Sequence, residues 1–351
     1  MLKFILNRFF IGIISILVVS VIITTIIFLS PVDPARLSFG QRSDEETINL
    51  FKKKYYLDQS LPVQIFRFFE DLSPVQYLAK EDLRAKDYSS TSIYENQTHW
   101  LILKKPYFRK SFTSGKPVWE IIAEALPGTI VLALCSIIFS AFLGLFLGFV
   151  ASLKFDTWID RSIMAFCSLS YAIPSYVSAL FIGIILAYFF GDLTGLPLQG
   201  SLWDYDDSGD RKLYLINLVL PVLALGIRPV SMIAQMTRAA SLDVIGSDYI
   251  RTAKSKGLGT YAIVRKHLLP NCVNPILTTI SSWLASLLTG SFFVEYVFNY
   301  KGLGLLTINA LNQFDIPLIT GCCIVTVCIF ITINFVTDLL YVYFDPRIKT
   351  S

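Results

Sequence analysis

The chain has 351 residues, of which 54% are hydrophobic and 16% charged, and it carries a formal net charge of +4. Globular domains usually contain about 25% charged residues, and the deficit here falls in long apolar stretches separated by charged loops. Because a charge in the middle of a bilayer is expensive, this pattern predicts an integral membrane protein. The small net charge provides no basic face for nucleic acid.

The residues that usually carry enzyme chemistry are not arranged for it in this sequence. The six cysteines lie in or beside apolar stretches, which favours packing residues over disulfides. His99 and His267 are far apart, and no Cys/His cluster has metal-ligand spacing. Neither a phosphate-binding glycine loop nor a Gly-x-Ser-x-Gly elbow occurs. We therefore predict that this chain is not an enzyme, with no catalytic residue, no metal site and no bound cofactor.

Long apolar stretches predict the membrane topology. A spanning helix needs about 20 apolar residues, and the sequence contains six such stretches. They run from about Phe9 to Leu29, Leu126 to Leu153, Ile163 to Phe190, Leu213 to Met236, Ile276 to Phe298 and Leu318 to Tyr343. The first is too long for a signal peptide, and Pro31 and Pro34 end it. The predicted fold class is an all-α integral membrane protein with six transmembrane helices.

Basic residues in the short loops predict the orientation, because they mark the cytoplasmic side. The termini, the second-to-third loop and the fourth-to-fifth loop hold twelve Lys and Arg residues, against three in the short loops of the opposite side. Both termini are therefore expected in the cytoplasm, and the long loop after the first helix is expected outside. The third-to-fourth loop is also expected outside, as a solvated acidic turn whose spacing does not fit an EF-hand. Its acidic residues are Asp204, Asp206, Asp207 and Asp210.

The loop between the fourth and fifth helices, residues 237–275, holds the most informative segment. It reads Asp248-Tyr249-Ile250-Arg251-Thr252-Ala253-Lys254-Ser255-Lys256-Gly257-Leu258, and later His267-Leu268-Leu269-Pro270-Asn271. Ile250, Ala253 and Gly257 share one side of a predicted amphipathic helix, where small residues would let another protein's backbone approach. Gly257 can end this helix in a left-handed conformation. By physics alone, a helix lying on anionic lipid remains an equal alternative.

This segment resembles the coupling loop of ATP-binding-cassette (ABC) importer permeases, in the form found in the dipeptide/oligopeptide/nickel branch. Arg251-Thr252-Ala253 stands where the wider family has an acidic-Ala-Ala core. Further matches to this branch follow in order along nearly the whole chain. They are Asp33-Pro34, Tyr56 to Gln64, Ser111 to Val118, Leu126 to Thr129, Glu295, Gly302 to Gly304, Asp315 to Pro317, Asp338 to Tyr341 and Asp345 to Ile348.

The resemblance implies a type I ABC importer permease fold in the cell's inner (plasma) membrane. Residues 1–30 would form the N-terminal helix, 31–120 an extracytoplasmic loop region, and 121–351 the permease core. Residues from about 70 to 105 form an insertion that close relatives lack. It could be a small subdomain that touches a binding protein or a lineage-specific decoration, and we favour decoration.

The resemblance also implies partners and a cargo. The partners are a homologous second permease in a heterodimer, two ATP-binding cassette subunits that use ATP, and an extracytoplasmic substrate-binding protein. The expected substrate is a peptide, with nickel or an oligosaccharide as the alternative within the branch. The residues expected to couple the path to the ATPase are Asp248, Tyr249, Arg251, Thr252, Ala253, Lys254, Lys256, Gly257 and Leu258.

Three residues inside the predicted spans are candidates for the translocation path: Arg228, Glu295 and Pro174. Arg228 lies in the fourth span before Pro229, and an intramembrane charge usually faces the bundle interior or a water-filled path. It would meet a substrate carboxylate or a partner such as Glu295, and a purely structural pairing stays open. Pro174 is expected to kink the third span and shape the path. Gly144 and Gly148, in contrast, predict close helix packing.

Two other classes of protein compete with the importer subunit. A secondary transporter working alone would need inverted repeats or buried charge relays. A membrane-embedded enzyme would need a nucleophile with its base, or a metal cluster. The coupling segment favours the importer subunit, because only that class needs a docking helix for an external ATPase.

Overall fold

The computed structural model describes residues 2–29, 44–79, 82, 88, 90–206 and 208–344. Several parts of the sequence argument therefore lie outside the described residues, namely Pro31, Asp33-Pro34, Asp207 and Asp345 to Ile348. The chain divides into two compact units. The first comprises Met1–Arg8, Leu126–Leu305 and Ile329–Ser351, and the second comprises Phe9–Ala125 and Leu306–Cys328.

Helices dominate both units, with two small sheets. In chain order the helices and strands are α1 (Leu2–Phe28), α2 (Glu45–Tyr55), α3 (Leu61–Leu72), β1 (Val75–Ala79), β2 (Ser90–Glu95), β3 (His99–Lys104), α4 (Val118–Leu153), α5 (Trp158–Ala172), α6 (Ser175–Ile182), α7 (Gly191–Thr194), β4 (Trp203–Tyr205), β5 (Arg211–Leu213), α8 (Val219–Ile245), α9 (Asp248–Ser255), α10 (Thr260–Ile263), α11 (Leu269–Gly290), α12 (Phe292–Val297), α13 (Leu303–Asn312) and α14 (Ile316–Phe344). A π-helical turn, Gly183–Phe189, extends α6, and another, Val264–Leu268, joins α10 to α11.

Four of the described helices are long and apolar enough to cross a membrane, and a bent pair could make a fifth. The four lie within α1, α4, α14 and the segment Leu215–Ile245. The pair is α5 with α6 and its π-helical extension, bent by 109°. The predicted fifth span is divided between α11 and α12, and neither is among the helices that meet this criterion in the described part of the chain.

The third predicted stretch is therefore not one continuous helix. The first helix ends at Ala172, and Pro174 stands immediately before Ser175, where α6 begins. Proline has no backbone N–H to continue the earlier helix, but its carbonyl accepts from the N–H of Val177 at 3.0 Å and so starts the next one. The predicted kink at Pro174 is confirmed, and it is a sharp break rather than a gentle bend.

Helices α4 and α8 pack closely in the first unit because two glycines leave room. A Cβ on Gly144 would lie 2.8 Å from the Cβ of Ile233, and one on Gly148 would lie 2.6 Å from the carbonyl oxygen of Ala234. Real Cβ atoms essentially never come so close to these neighbours. The close packing predicted for this Gly-x3-Gly pair is confirmed.

Strands β1, β2 and β3, which lie within the predicted insertion, form a three-stranded antiparallel sheet in the second unit, with strand order β1-β3-β2. Leu78 of β1 and Ile102 of β3 are both 2% exposed and form a small core with Tyr88. The expectation of an all-α chain is wrong here and at the β4–β5 hairpin. Short strands rich in polar and aromatic residues lack the long apolar runs that identified the helices.

Asp71, at the end of α3, ties this sheet to the rest of the second unit. It is completely buried and accepts hydrogen bonds from the Tyr88 hydroxyl at 2.6 Å and from Nε of Arg109 at 2.7 Å. The ammonium of Lys104 donates to the backbone carbonyl of Asp71 at 2.7 Å. The buried carboxylate thus has both charged and neutral donors, and the loss of either partner would leave a buried charge uncompensated.

Candidate coupling site

The candidate coupling segment starts immediately after the long helix α8. Ser247 adopts an extended conformation, with φ −77° and ψ 150°, and separates α8 from α9. Its hydroxyl donates to the carbonyl of Val244 at 2.5 Å. Asp248 lies in the first turn of α9, where a negative charge complements the positive end of the helix dipole.

The segment ends at Gly257, whose φ is +81°. The N–H of Gly257 donates to the carbonyl of Lys254 at 2.9 Å, and the N–H of Leu258 donates to the carbonyl of Ala253 at 3.2 Å. These two bonds form a Schellman motif, which satisfies the last carbonyls of a helix when the following residue is left-handed. The predicted left-handed end at Gly257 is confirmed.

The apolar side of α9 packs against its own chain. Ile250 is 0% exposed and Ala253 is 7% exposed. Ile250 forms a cluster with Ile263 and Leu268, against which Leu258 also packs. The interpretation that this side admits another protein's backbone is wrong for Ile250 and Ala253. The helix period was read correctly, but a sequence does not show whether its own chain or a partner covers the apolar side.

The outward side of α9 is polar and basic. The predicted coupling residues Asp248, Tyr249, Arg251, Thr252, Lys254 and Lys256 are all exposed. Arg251 lies 3.7 Å from Asp248, but both side chains are in solvent and such a pair contributes little. The basic side chains on this side of α9 are therefore free of strong intramolecular pairing within the described part of the chain. They can contact either an acidic protein surface or anionic lipid.

An ion pair between α8 and α5 lies about ten residues, or nearly three helical turns, before this segment. Nε and a terminal nitrogen of Arg238 donate to the two carboxylate oxygens of Asp160 at 2.6 and 2.7 Å. The Asp160 side chain is 3% exposed and that of Arg238 is 24% exposed. Sequence reasoning missed Asp160. The sequence did show an acidic residue beside an apolar stretch, with several arginines in the loops predicted to lie on the same side of the membrane.

Arg228 lies in α8 among aromatic side chains. Its guanidinium carbon is 5.4 Å from the centroid of the Tyr171 ring and 6.0 Å from that of the Trp283 ring. Its Nε is buried without a hydrogen-bond partner in the described part of the chain. The pair with Glu295 that the sequence allowed is not among the described contacts.

Glu295 is instead fully buried in a network of its own. Its carboxylate accepts from the Thr129 hydroxyl at 2.8 Å and from the Gly304 N–H at 2.7 Å. The Thr129 hydroxyl oxygen in turn accepts from the N–H of Leu303 at 2.7 Å. A Cβ on Gly304 would lie 2.9 Å from the Glu295 carboxylate. Three segments that match the family separately in the sequence, namely Leu126 to Thr129, Glu295 and Gly302 to Gly304, therefore meet at one point. A role of Glu295 in the translocation path stays a prediction.

The apolar helices identify a membrane protein, and the exposed basic helix between two of them fits a subunit that docks a partner. The family described as binding-protein-dependent transport system inner membrane component matches residues 140–350, and its N-terminal membrane component matches residues 1–133. The chain belongs to this family and is the permease component of an ABC importer, integral to the inner membrane. The resemblance inferred from the sequence is confirmed.

Relatives match along most or all of the chain. A probable peptide ABC transporter permease protein of Sinorhizobium fredii is 30% identical over 347 residues, 99% of each chain. The glutathione transport system permease protein GsiC of Salmonella typhimurium is 31% identical over 350 residues, again 99% of each. The dipeptide transport system permease protein DppB of Haemophilus influenzae is 33% identical over 259 residues, covering 69% of this chain and 77% of the relative.

A solved structure shares the fold. A chain of the MetNI methionine ABC transporter, in an inward-facing conformation, matches with a TM-score of 0.51 and 17% identity. The match covers 64% of this chain and 95% of that chain. The helical fold of an ABC transporter membrane subunit is therefore confirmed for the matched part.

Proposed function

We propose that this permease forms half of the translocation path of a peptide importer. A homologous second permease would supply the other half, two ATP-binding cassette subunits would hydrolyse ATP, and an external binding protein would deliver the peptide. The observation that carries this proposal is α9, a short helix anchored on its own chain with a polar, basic side left exposed. That is the arrangement a docking helix for an external ATPase requires.

The proposed topology has six spans with both termini in the cytoplasm. Helix α11 would supply the span beyond the four or five that apolarity identifies. It has 22 residues, which at 1.5 Å per residue is about 33 Å, enough to cross a hydrocarbon core of about 30 Å. Hydroxyl side chains lower its apolarity. Such side chains are tolerated inside a membrane when they donate to the carbonyls of their own helix.

The proposed coupling mechanism follows from the two sides of α9. Tyr249, Arg251 and Lys254 contact the ATPase, while Ile250 and Ala253 connect the helix to the core. When ATP closes the ATPase dimer, α9 moves with it and the buried side transmits the displacement to α8. The path then alternates between inward-open and outward-open states. ATP binding shifts this equilibrium only if α9 moves as a rigid body with the ATPase. The Schellman motif at the end of α9 and the buried cluster around Ile250 provide that rigidity.

Peptides are the proposed substrate class because the names of several full-length relatives include peptide, and those of others include dipeptide or glutathione. No described residue favours the nickel or oligosaccharide alternative. The proposed path residues are Arg228, the break at Pro174 and Glu295.

Purification of the chain from its native membrane in mild detergent tests this proposal. A second permease and ATP-binding subunits should co-purify, and their ATPase should be stimulated by peptide together with the binding protein. A chain that is isolated alone and moves solute in liposomes without ATP would instead be a secondary carrier.

A further inference from the structure

Arg228 is a charged residue inside a membrane-spanning helix. The described part of this chain supplies no anionic partner for its guanidinium. Its Nε is buried without a hydrogen-bond partner among the described residues. A guanidinium carries five N–H donors and stays protonated in proteins. An arginine at this depth is rare, and it normally faces the bundle interior or an aqueous path, paired with an acceptor.

The aromatic neighbours stabilise the cation without replacing that acceptor. Tyr171 belongs to α5 and Trp283 to α11, so two different helices place a ring near the same guanidinium. A ring face attracts a cation through its quadrupole, but it offers no lone pair to in-plane N–H groups. A carboxylate does, and its two oxygens match the fork of a guanidinium.

One side of α11, the helix that also carries Trp283, is polar although we place this helix in the membrane. Thr278, Ser282 and Ser286 recur at every fourth residue of α11 and are all exposed. Each hydroxyl donates to the carbonyl four residues earlier, at 2.9, 2.9 and 3.2 Å respectively. A lipid-facing side would be apolar, so this hydroxyl-lined side of α11, the helix that also supplies Trp283, fits the wall of an aqueous path.

We propose that Arg228, held by Tyr171 and Trp283, binds the terminal carboxylate of the solute as it crosses the membrane. The inference rests on the proposed function, since it assumes that a peptide passes along this chain. It narrows the substrate class to solutes with a free carboxylate. The same chemistry could come from a carboxylate of the facing permease, and the experiment separates these two sources.

The test uses the complete transporter in liposomes, with its binding protein and ATP. Uptake of trialanine and of trialanine amide is measured for the wild type and for Arg228→Gln, and the variant-to-wild-type ratio is taken for each peptide. The binding protein is the same in both transporters, so any difference in its affinity for the two peptides cancels in this ratio. Arg211→Gln is the matched control, because Arg211 also lies over a tryptophan, 5.5 Å from the Trp203 ring, but in the β4–β5 hairpin.

Arg228→Gln should lower kcat/KM for trialanine about tenfold or more, the usual effect of losing a charge-assisted pair. Uptake of the amide should be unchanged, Arg228→Lys should restore part of the trialanine rate, and Arg211→Gln should affect neither peptide. An equal loss for both peptides would assign the carboxylate to the facing permease and overturn the proposal. No loss for either peptide would overturn it as well.

A second measurement is needed if the wild-type transporter does not take up trialanine amide, because the two peptides cannot then be compared. A tripeptide with a photoreactive benzophenone on its C-terminal residue is cross-linked in the working complex, and the adducts are mapped by mass spectrometry. Adducts on the segments that carry Tyr171 or Trp283 are expected, and adducts confined to other segments would refute the site. Trialanine uptake by the wild type tests the proposed function separately, since it does not depend on which residue meets the carboxylate.

Discussion

Two glycines near the end of α9 allow the coupling assignment to be tested with an internal control. Gly257 has a φ of +81°, whereas Gly259 has a φ of −70°, and a Cβ at either position would meet nothing within 4 Å. Replacing Gly257 therefore adds backbone strain without a steric clash inside the chain. The same replacement at Gly259 adds neither.

The magnitude follows from the left-handed conformation. A non-glycine residue there costs roughly 1–2 kcal/mol, which favours fraying of the helix end by about 5- to 30-fold. Gly257→Ala should therefore lower peptide uptake per ATP hydrolysed, while Gly257→Asn should retain most of it, because asparagine tolerates this conformation. Gly259→Ala, which adds neither strain nor a clash, should leave peptide uptake per ATP hydrolysed unchanged.

Gly257→Trp adds bulk to the same strained position, where it would obstruct a docked ATPase. Uptake should be abolished while membrane insertion and the amount of permease stay normal. The assay is uptake into liposomes in parallel with ATP hydrolysis, with membrane insertion followed by protease accessibility. Normal transport by Gly257→Trp would refute the coupling assignment, and equal behaviour of Gly257→Ala and Gly259→Ala would refute the role of the helix end.

Three further predictions concern the ion pairs. Asp71→Asn breaks a buried pair and should destabilise the three-stranded sheet and its surroundings by about 3 kcal/mol or more. Proteolysis of the sheet should be faster while ATPase assembly is unchanged, and unchanged proteolysis would contradict the role of this network. The hydrogen bond from Lys301 lowers the pKa of Asp204, so this contact stabilises the hairpin above the unfolded pKa and is lost as pH falls through the folded value. Protection of the hairpin amides, relative to their intrinsic exchange rate at each pH, should therefore fall at acid pH in the wild type but not in Lys301→Gln. Arg238→Gln leaves a buried carboxylate unpaired and should lower thermal stability in detergent, by about 1–3 kcal/mol, whereas Arg161→Gln, whose side chain is 72% exposed, should not.

The sequence by itself determined the features that depend on the bilayer or on local backbone geometry. Long apolar stretches must form helices in lipid, because no water is available to satisfy the backbone. The break at Pro174 and the left-handed end at Gly257 follow from the covalent limits of these two residues. The close approach at Gly144 and Gly148 follows from the missing side chains, although the sequence did not identify the facing helix.

Only the tertiary structure decided which groups meet across long stretches of chain. Asp160 and Arg238 are 78 residues apart, Thr129 and Glu295 are 166 apart, and the Ser111 hydroxyl that donates to Asp315 is 204 apart. A single sequence carries no register between such distant segments, because the contacts depend on how whole helices pack. The same reason explains the coupling helix. Periodicity revealed an apolar side, but only the packing of α9 showed that its own chain covers that side and leaves the basic side exposed.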